Sequence, residues 1–133
     1  MTRALAIVLA LHCATALAQT DLPERLGLPA TAGLFEKIRA APGFDLSRPA
    51  TFGYFFNSEN VAHITALRGR LEADGFAFVE THVDRKGRTW LQVAKTEIHS
   101  PESLVERNRK LKVLADEFGT VQYDGWDITR NAR

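Results

Sequence analysis

Cysteine is almost absent from this sequence. Cys13 is the only one among 133 residues, and it falls in an N-terminal segment that we expect to be removed during export. A disulfide needs two cysteines, so the remaining chain has none to form internally, even in a compartment that would permit one. We therefore expect the domain to be held together by the packing of its side chains.

The sequence also lacks an excess of charge of either sign. It has 17 basic and 16 acidic residues, which gives a net charge of +1 at pH 7. Proteins that bind nucleic acids or anionic membranes usually have a clear basic excess, so we expect no nucleic-acid partner. Short basic clusters do occur at 85–88 and 107–112, and we interpret them as solvent-exposed.

Motifs of the common catalytic and metal sites are missing as well. His63, His82 and His99 are far apart and do not have the spacing of metal ligands. There is no glycine-rich phosphate loop and no serine in a nucleophile elbow. Glu80 and Asp84 lie on or beside one strand, where a solvated strand edge explains them without acid–base chemistry. We therefore predict no catalytic residues, no metal site and no cofactor.

The N-terminus has the features of a secretory signal peptide. Arg3 is followed by an apolar run over 4–11, and Ala16-Leu17-Ala18 provides a small-x-small cleavage site. The run is shorter than the roughly 20 apolar residues that span a bilayer. We predict that residues 1–18 are cleaved, which leaves a periplasmic or secreted protein with no membrane attachment. An uncleaved N-terminal anchor is the alternative.

Prolines and glycines punctuate the segment from residue 19 to residue 48. Such residues interrupt regular structure, so we interpret this part as a lead-in segment with at most one short helix. The best candidate helix is 34–41, where Leu34, Phe35 and Ile38 form an apolar stripe and Pro42-Gly43 follows as a stop. The domain proper is predicted to cover residues 49–130.

Regular elements follow one another closely after Pro49. Ser58 is predicted to cap the first helix, and Ser100-Pro101-Glu102 to begin the second. Predicted strands cover 51–57, 76–83, 89–96 and 121–128. The two helices have apolar stripes formed by Val61, Ile64, Leu67 and Leu71 and by Leu104, Leu111, Leu114, Ala115 and Phe118. This order predicts an α+β, ferredoxin-like β-α-β-β-α-β fold, with a four-stranded antiparallel sheet and two helices on one face.

Aromatic side chains are expected on both faces of this sheet. The first strand has aromatics at neighbouring positions, among them Phe55 and Phe56, and neighbouring side chains on a strand point to opposite faces. The same alternation places Trp90 opposite to Leu91, and Trp126 opposite to Tyr123. The aromatic surface away from the helices is either covered by the lead-in segment or free for a partner, including weak self-association. We take Phe55 and Trp90 as candidate binding residues.

One stretch near the C-terminus is more specific. Leu-Ala-Asp-Glu-Phe-Gly at 114–119 is followed by Tyr123-Asp124-Gly125-Trp126. Together they resemble the C-terminal signature of the regulator of ribonuclease E activity B (RraB-like) family. The resemblance covers about residues 49–128. It implies a non-enzymatic domain that binds ribonuclease E and inhibits RNA processing by protein–protein contact.

The four residues of this motif also have a simple structural interpretation. Gly125 permits a β-bulge or a close approach of two backbones. Asp124 can accept hydrogen bonds from local amides, and Tyr123 and Trp126 can anchor the sheet. We keep all four as candidate motif or partner-binding residues.

Three functions follow from these observations. Export would separate the protein from a cytoplasmic ribonuclease, so the leading interpretation is an exported protein-binding module whose partner the sequence does not identify. The second is a true ribonuclease E inhibitor, if the signal is not used. The third is a small ligand-binding or hydrolase domain that uses the open face of the sheet.

Overall fold

The backbone forms three α-helices, one short 3-10 turn and four strands. The structure is a computed structural model that describes residues 22–130, so the predicted signal peptide at 1–18 lies outside the described residues. The elements in chain order are a 3-10 turn at Glu24–Leu26, α1 at Leu28–Ala40, β1 at Ala50–Ser58, α2 at Val61–Ala73, β2 at Ala77–Val83, β3 at Thr89–Glu97, α3 at Pro101–Asp116 and β4 at Gln122–Thr129.

The four strands form one sheet in the order β2-β3-β1-β4, with every neighbouring pair antiparallel. Since β1 and β3 are central and each is followed by a helix that leads to an edge strand, this is the predicted α+β, ferredoxin-like arrangement. The prediction of the fold class is confirmed. The addition is α1, a third helix that packs against α3.

Helix α1 is longer than the sequence predicted. It begins at Leu28 rather than Leu34, because Pro29 occupies the first turn, where a missing N–H breaks no helical hydrogen bond. Phe35 is 1% exposed and belongs to the main core, whereas Leu34 is largely exposed. The lead-in segment therefore contributes a side chain to the core on the helix side of the sheet.

The start of α2 differs from the prediction by two residues. The cap is Asn60, whose side-chain oxygen accepts hydrogen bonds from the backbone N–H groups of Ala62 and His63 at 3.0 and 3.3 Å. Ser58 is instead the last residue of β1, and its hydroxyl is 2.6 Å from that of Thr120. Serine and asparagine are both favourable caps, so residue type alone did not distinguish them.

Because α2 begins after Asn60, one residue of its predicted apolar stripe falls outside the core. Val61 is in the first turn and is 61% exposed, while Ile64, Leu67 and Leu71 are buried. The prediction for Val61 was wrong, and the other three positions are confirmed. A glycine at 75 with positive φ follows the helix, as expected for a stop.

Helix α3 begins as predicted. The Ser100 hydroxyl oxygen accepts a hydrogen bond from the Ser103 N–H, and the Ser103 hydroxyl oxygen accepts one from the Ser100 N–H. Pro101 occupies the first turn. Four of the predicted apolar residues are buried, and Phe118 is half-buried in the turn after the helix. The sequence analysis did not identify Asn108, a fully buried polar residue of this helix.

The core lies between the sheet and the helices. Strand β1 contributes Phe52, Tyr54 and Phe56, all 0–1% exposed, and β3 contributes Leu91 and Val93. We call this side of the sheet the covered face. Alternation along the strands places their neighbours on the opposite side.

Both edge strands contain a β-bulge. On β4, Gly125 pairs with Phe55 and Tyr123 pairs with Phe56, so Asp124 is an extra residue. On β2, Phe78 pairs with Val93 and Glu80 pairs with the adjacent Gln92, so Val79 is an extra residue. A bulge changes which face the following side chains occupy, and this has consequences for the motif on β4.

Candidate functional site

The bulge on β4 places Tyr123 and Trp126 on the same face of the sheet. The Tyr123 ring centroid is 5.1 Å from that of Phe56, and the Trp126 centroid is 6.0 Å from that of Phe52. Both partners belong to the covered face. The prediction that Trp126 and Tyr123 lie on opposite faces was wrong, because simple alternation does not count the extra residue at Asp124.

Tyr123 connects β4 to α3. Its hydroxyl donates a hydrogen bond of 2.6 Å to the Asn108 side-chain oxygen. Burial raises the pKa of Tyr123 well above its ordinary value, so the phenol stays neutral and keeps its proton to donate. This geometry gives Tyr123 the anchoring role that the sequence suggested.

Trp126 connects the sheet to α1. Its ring meets the Phe35 ring edge-on, with centroids 6.2 Å apart and an interplanar angle of 67°. Edge-to-face pairs of this kind contribute roughly 0.5–1.5 kcal/mol beyond the area they bury. Trp126 is therefore the residue through which the lead-in helix is held to the edge of the sheet.

Gly125 fits a position that a larger residue could not occupy without strain. Its φ is +121°, and a Cβ there would lie 2.9 Å from Nη1 of Arg25 and 3.4 Å from Cδ2 of Leu26. The predicted bulge is present, with Asp124 as the extra residue. The predicted close approach of a second backbone is not found, because the atoms nearest to Gly125 belong to the side chains of Arg25 and Leu26. Next to it, Asp124 forms an ion pair with Arg25 at 3.6 Å, so its carboxylate contacts the 3-10 turn.

These residues border a cavity of about 630 Å³ at the β4 edge. Phe55, from the middle of β1, also lines it, so the structure brings Phe55 together with Asp124, Gly125 and Trp126. The remaining lining comes mainly from the lead-in segment and β4: Arg25, Leu26, Leu34, Ile38, Asp127 and Ile128. Leu34 and Ile38 thus lie near part of the open face, while Phe35 points to the core.

Trp90 lies apart from this cavity, on the other side of β1. It pairs with Asn57 of β1 and with His82 of β2. Its indole N–H donates a hydrogen bond of 2.9 Å to Asp84, and this bond is the main reason that the pKa of Asp84 lies below its ordinary value. The His82 ring stacks on the indole with an interplanar angle of 5° and centroids 6.3 Å apart.

The side of the sheet that carries Phe55 and Trp90 also carries polar groups. We call this side the uncovered face and define it by Gly53, Phe55, Trp90, Gln92 and Asp127. A Cβ at Gly53 would collide with the side chains of Asp127 and Gln92, so these two side chains lie over β1 only because Gly53 has none. Partial burial raises the pKa of Asp127. Sequence analysis missed Gln92, Asp127 and Arg25, since only pairing between strands and with the 3-10 turn brings them here.

A buried polar cluster lies on the covered side, where β3 leads into α3. His99 is only 9% exposed; its Nδ1 is 2.8 Å from the Ser103 hydroxyl and its Nε2 is 3.2 Å from Glu97. Burial lowers the pKa of His99. Arg107 forms an ion pair with Glu97 at 2.5 Å. In the sequence, the spacing of Glu97, His99 and Ser103 around a helix start could have indicated this cluster.

Residues 22–130 were considered for metal-binding groups and for helices long enough to span a membrane. Within residues 22–130, no group of three or more His, Cys, Asp and Glu side chains is arranged to hold a metal ion. No helix in the same range has the length and apolar character needed to cross a membrane.

Comparison with known proteins identifies the family. A search of curated proteins finds no match. A protein-family model described as RraB, regulator of ribonuclease activity B, matches residues 30–128. The match starts within α1 and extends through all four strands, so it includes the aromatic β1 and the Tyr-Asp-Gly-Trp stretch of β4. The chain belongs to the RraB family of regulators of ribonuclease activity.

Proposed function

We propose that this chain is an exported, non-catalytic protein-binding module, and that it contacts its partner through the uncovered face of its sheet. Membership of a family of regulators supports a role exerted by binding. The observation that carries the proposal is the Trp90–His82 stack on a face that the three helices leave uncovered. Aromatic side chains of this kind are common among the residues that dominate binding free energies.

Trp90 is already held in one orientation. The hydrogen bond to Asp84 and the stack with His82 fix the indole ring, and His82 in turn lies 3.3 Å from the carboxylate of Glu80. A side chain that is fixed before binding loses less conformational entropy when a partner arrives. Trp90 and Phe55 are therefore the two positions at which we expect a partner to be anchored.

The polar groups around these aromatics favour a protein over a nucleic acid. Asp84 accepts a hydrogen bond from Trp90, Glu80 lies beside His82, and Asp127 lies over Gly53, two residues before Phe55 on β1. Carboxylates repel phosphate groups, whereas they pair readily with the basic side chains of a protein. A polar ring around aromatic anchors is the usual composition of a protein–protein interface.

The binding face is testable by cross-linking in cells. A photoreactive phenylalanine analogue in place of Trp90 should give a covalent adduct with a second protein. The same analogue in place of Thr65, an exposed residue of α2 that lines neither the β4-edge cavity nor a cavity on the helix side, is the matched control and should give none. An adduct at position 65 alone would contradict the proposed face. An adduct of two identical chains would show self-association in place of a separate partner.

Export is part of the proposal and rests on residues 1–18. Fusion of residues 1–25 to a reporter that is active only after export should give an active reporter. The protein isolated from the periplasm or medium should then lack its first eighteen residues. An intact Met1 in a soluble cytosolic fraction would overturn the localisation.

Direct regulation of a ribonuclease is the second candidate, and the description of the matching family favours it. This regulation requires that the N-terminal segment is not used for export, so that the chain stays with the ribonuclease. Purified chain added to ribonuclease E should then slow cleavage of a fluorogenic RNA, and Trp90→Ala should weaken this inhibition. Unchanged cleavage at saturating protein would exclude this candidate and leave the binding module with a different partner.

A further inference from the structure

A second concave surface lies on the helix side, between α2 and α3. Its cavity is about 630 Å³, the same size as that at the β4 edge. The floor consists of Phe76, Leu111 and Leu114, which are 3–8% exposed, and Val113 on the rim is 39% exposed. We call this surface the interhelical groove. It is on the opposite side of the sheet from the uncovered face, so it is independent of the surface in the proposed function.

Positive charge dominates the walls of the interhelical groove. Five of its lining residues are cationic and three are acidic. The cations are Arg70, Lys95, Arg107, Arg109 and Lys110. A chain whose overall charge is close to zero therefore concentrates cations around one apolar floor.

The cations differ in how far their charge is already neutralised. Arg70 pairs with Asp74, and Arg109 pairs with Glu106. Lys110 has no ion-pair partner among residues 22–130. It also lines a smaller cavity beside His99, so its charge is central to this side of α3.

Two donors in the groove are buried and unsatisfied. The Nε atoms of Arg107 and Arg109 have no hydrogen-bond partner within residues 22–130. A buried donor without an acceptor costs free energy. These Nε atoms are themselves inaccessible, so an entering carboxylate would instead meet the partly exposed side chains of Arg107 and Arg109 as an opposite charge.

We propose that the interhelical groove binds an acidic, amphipathic segment of a protein partner. Apolar side chains of that segment would lie against Val113 and over the edge of Leu114, and its carboxylates would pair with Lys110 and Lys95. This is the helix-in-groove mode of recognition, in which one face of the bound segment is apolar. The charge of the groove is complementary to such a segment.

A nucleic acid fits the interhelical groove less well. Its backbone requires a continuous row of cations, and here Asp74, Glu106 and Glu117 lie among them. The groove offers apolar contact to a leucine or phenylalanine mainly through Val113 on its rim, which is 39% exposed. No aromatic ring is exposed among the lining residues for bases to stack on, since Phe76 is 6% exposed.

Fluorescence anisotropy with the full chain tests the proposal. The probe is a labelled peptide of about 15 residues, roughly four helical turns, with leucines on one face and glutamates on the other. A second peptide has glutamine at every glutamate position, a third has serine at every leucine position, and a labelled single-stranded RNA of similar length completes the set. We expect only the first peptide to bind at micromolar concentration.

Two variants on the same helix locate the binding. Lys110→Glu reverses a charge in the groove, and Lys112→Glu makes the same change at a residue outside its lining that pairs with Asp116. We expect Lys110→Glu to raise the Kd of the acidic peptide about tenfold, equivalent to roughly 1.4 kcal/mol. Lys112→Glu should change it less than about twofold, since Lys112 does not line the groove.

Any one of four results would overturn the proposal. Equal losses in the two variants would mean non-specific charge attraction. Binding of the serine peptide as tight as that of the leucine peptide would remove the role of the apolar floor. Tighter binding of the RNA, lost in Lys110→Glu, would assign the groove to nucleic acid. No binding of the acidic peptide by the unmodified chain, with its thermal unfolding intact, would refute the proposal outright.

Discussion

The two faces of the sheet use the same strand for different purposes. On the covered face, Phe52, Tyr54 and Phe56 of β1 are almost wholly buried against other core side chains. On the uncovered face, Phe55 is partly exposed, and its neighbour Gly53 lies under the polar side chains of its flanking strands. The comparison shows that aromatic content alone does not indicate function, because the face on which a ring lies decides whether it stabilises the fold or remains available to a partner.

The largest expected difference between the two faces is in stability. Phe52→Ala should lower the free energy of unfolding by about 3–5 kcal/mol, since it leaves a cavity in a packed core. Phe55→Ala should cost about 1–2 kcal/mol, because the ring is only partly buried and its loss leaves no enclosed cavity. Urea denaturation followed by circular dichroism measures both. Equal losses would show that the uncovered face is as tightly packed as the covered one.

A smaller effect is expected at the edge where the two faces meet. Gly125→Ala should destabilise the protein by about 1–3 kcal/mol, because the backbone φ is +121° and Arg25 and Leu26 occupy the space. Gly87→Ala is the matched control, with φ +82° and open space around it, and should cost about 1 kcal/mol from the backbone alone. If both changes had the same cost, the contact between Gly125 and the 3-10 turn would be unimportant for stability.

The third prediction concerns pH and separates two histidines. Burial keeps the pKa of His99 below its ordinary value of 6.5 in the folded state, so the unfolded chain takes up a proton first as the pH falls. The stabilisation from neutral His99 is therefore complete above about pH 6.5 and is lost as the pH decreases toward the folded-state pKa. His99→Gln should flatten the decrease in the free energy of unfolding between about pH 7.5 and 5.5.

His82→Gln is the control for this measurement, since His82 is exposed on the uncovered face. The pair of variants compares a substitution inside the buried cluster with the same substitution on the surface. If His82→Gln flattened the curve as much as His99→Gln, the pH dependence would not originate in the buried cluster.

The smallest expected effect is local to the Trp90 stack. Trp90→Phe removes the indole N–H that donates to Asp84, so the pKa of Asp84 should rise toward its ordinary value. Global stability should hardly change, because Asp84 is in a polar turn. NMR titration of the Asp84 carboxyl carbon measures the pKa, with Asp45 as an internal reference. An unchanged pKa of Asp84 would mean that the backbone amides of the turn alone stabilise the carboxylate.

Most of the fold could be predicted because the element boundaries have their own chemistry. Ser100-Pro101 begins α3 and Gly75 ends α2 as expected, so the order β-α-β-β-α-β was predictable without tertiary contacts. Errors arose where one signal had two interpretations. Pro29 can break a helix or begin one, and Ser58 and Asn60 are both favourable caps. Tertiary packing selects between such alternatives.

The candidate site was less predictable. The sequence identified Phe55 and the Tyr-Asp-Gly-Trp stretch, but their contact depends on how β1 pairs with β4 and on the bulge at Asp124. Trp90 belongs to a separate part of the same face, beside His82. The predicted export of the protein stays a prediction, since the segment responsible is outside residues 22–130.

The bulges at Asp124 and Val79 have a consequence for how molecules of this protein behave at high concentration. A strand at the border of a sheet offers unpaired amides that can recruit another chain, and this is how ordered aggregates begin to grow. Here each border strand carries an irregularity, and side chains of Arg25 and Leu26 also lie against β4 at Asp124 and Gly125. Both ends of the sheet are therefore poor templates for fibril-like stacking, so the protein can expose aromatic rings on its flat side without polymerising through its edges.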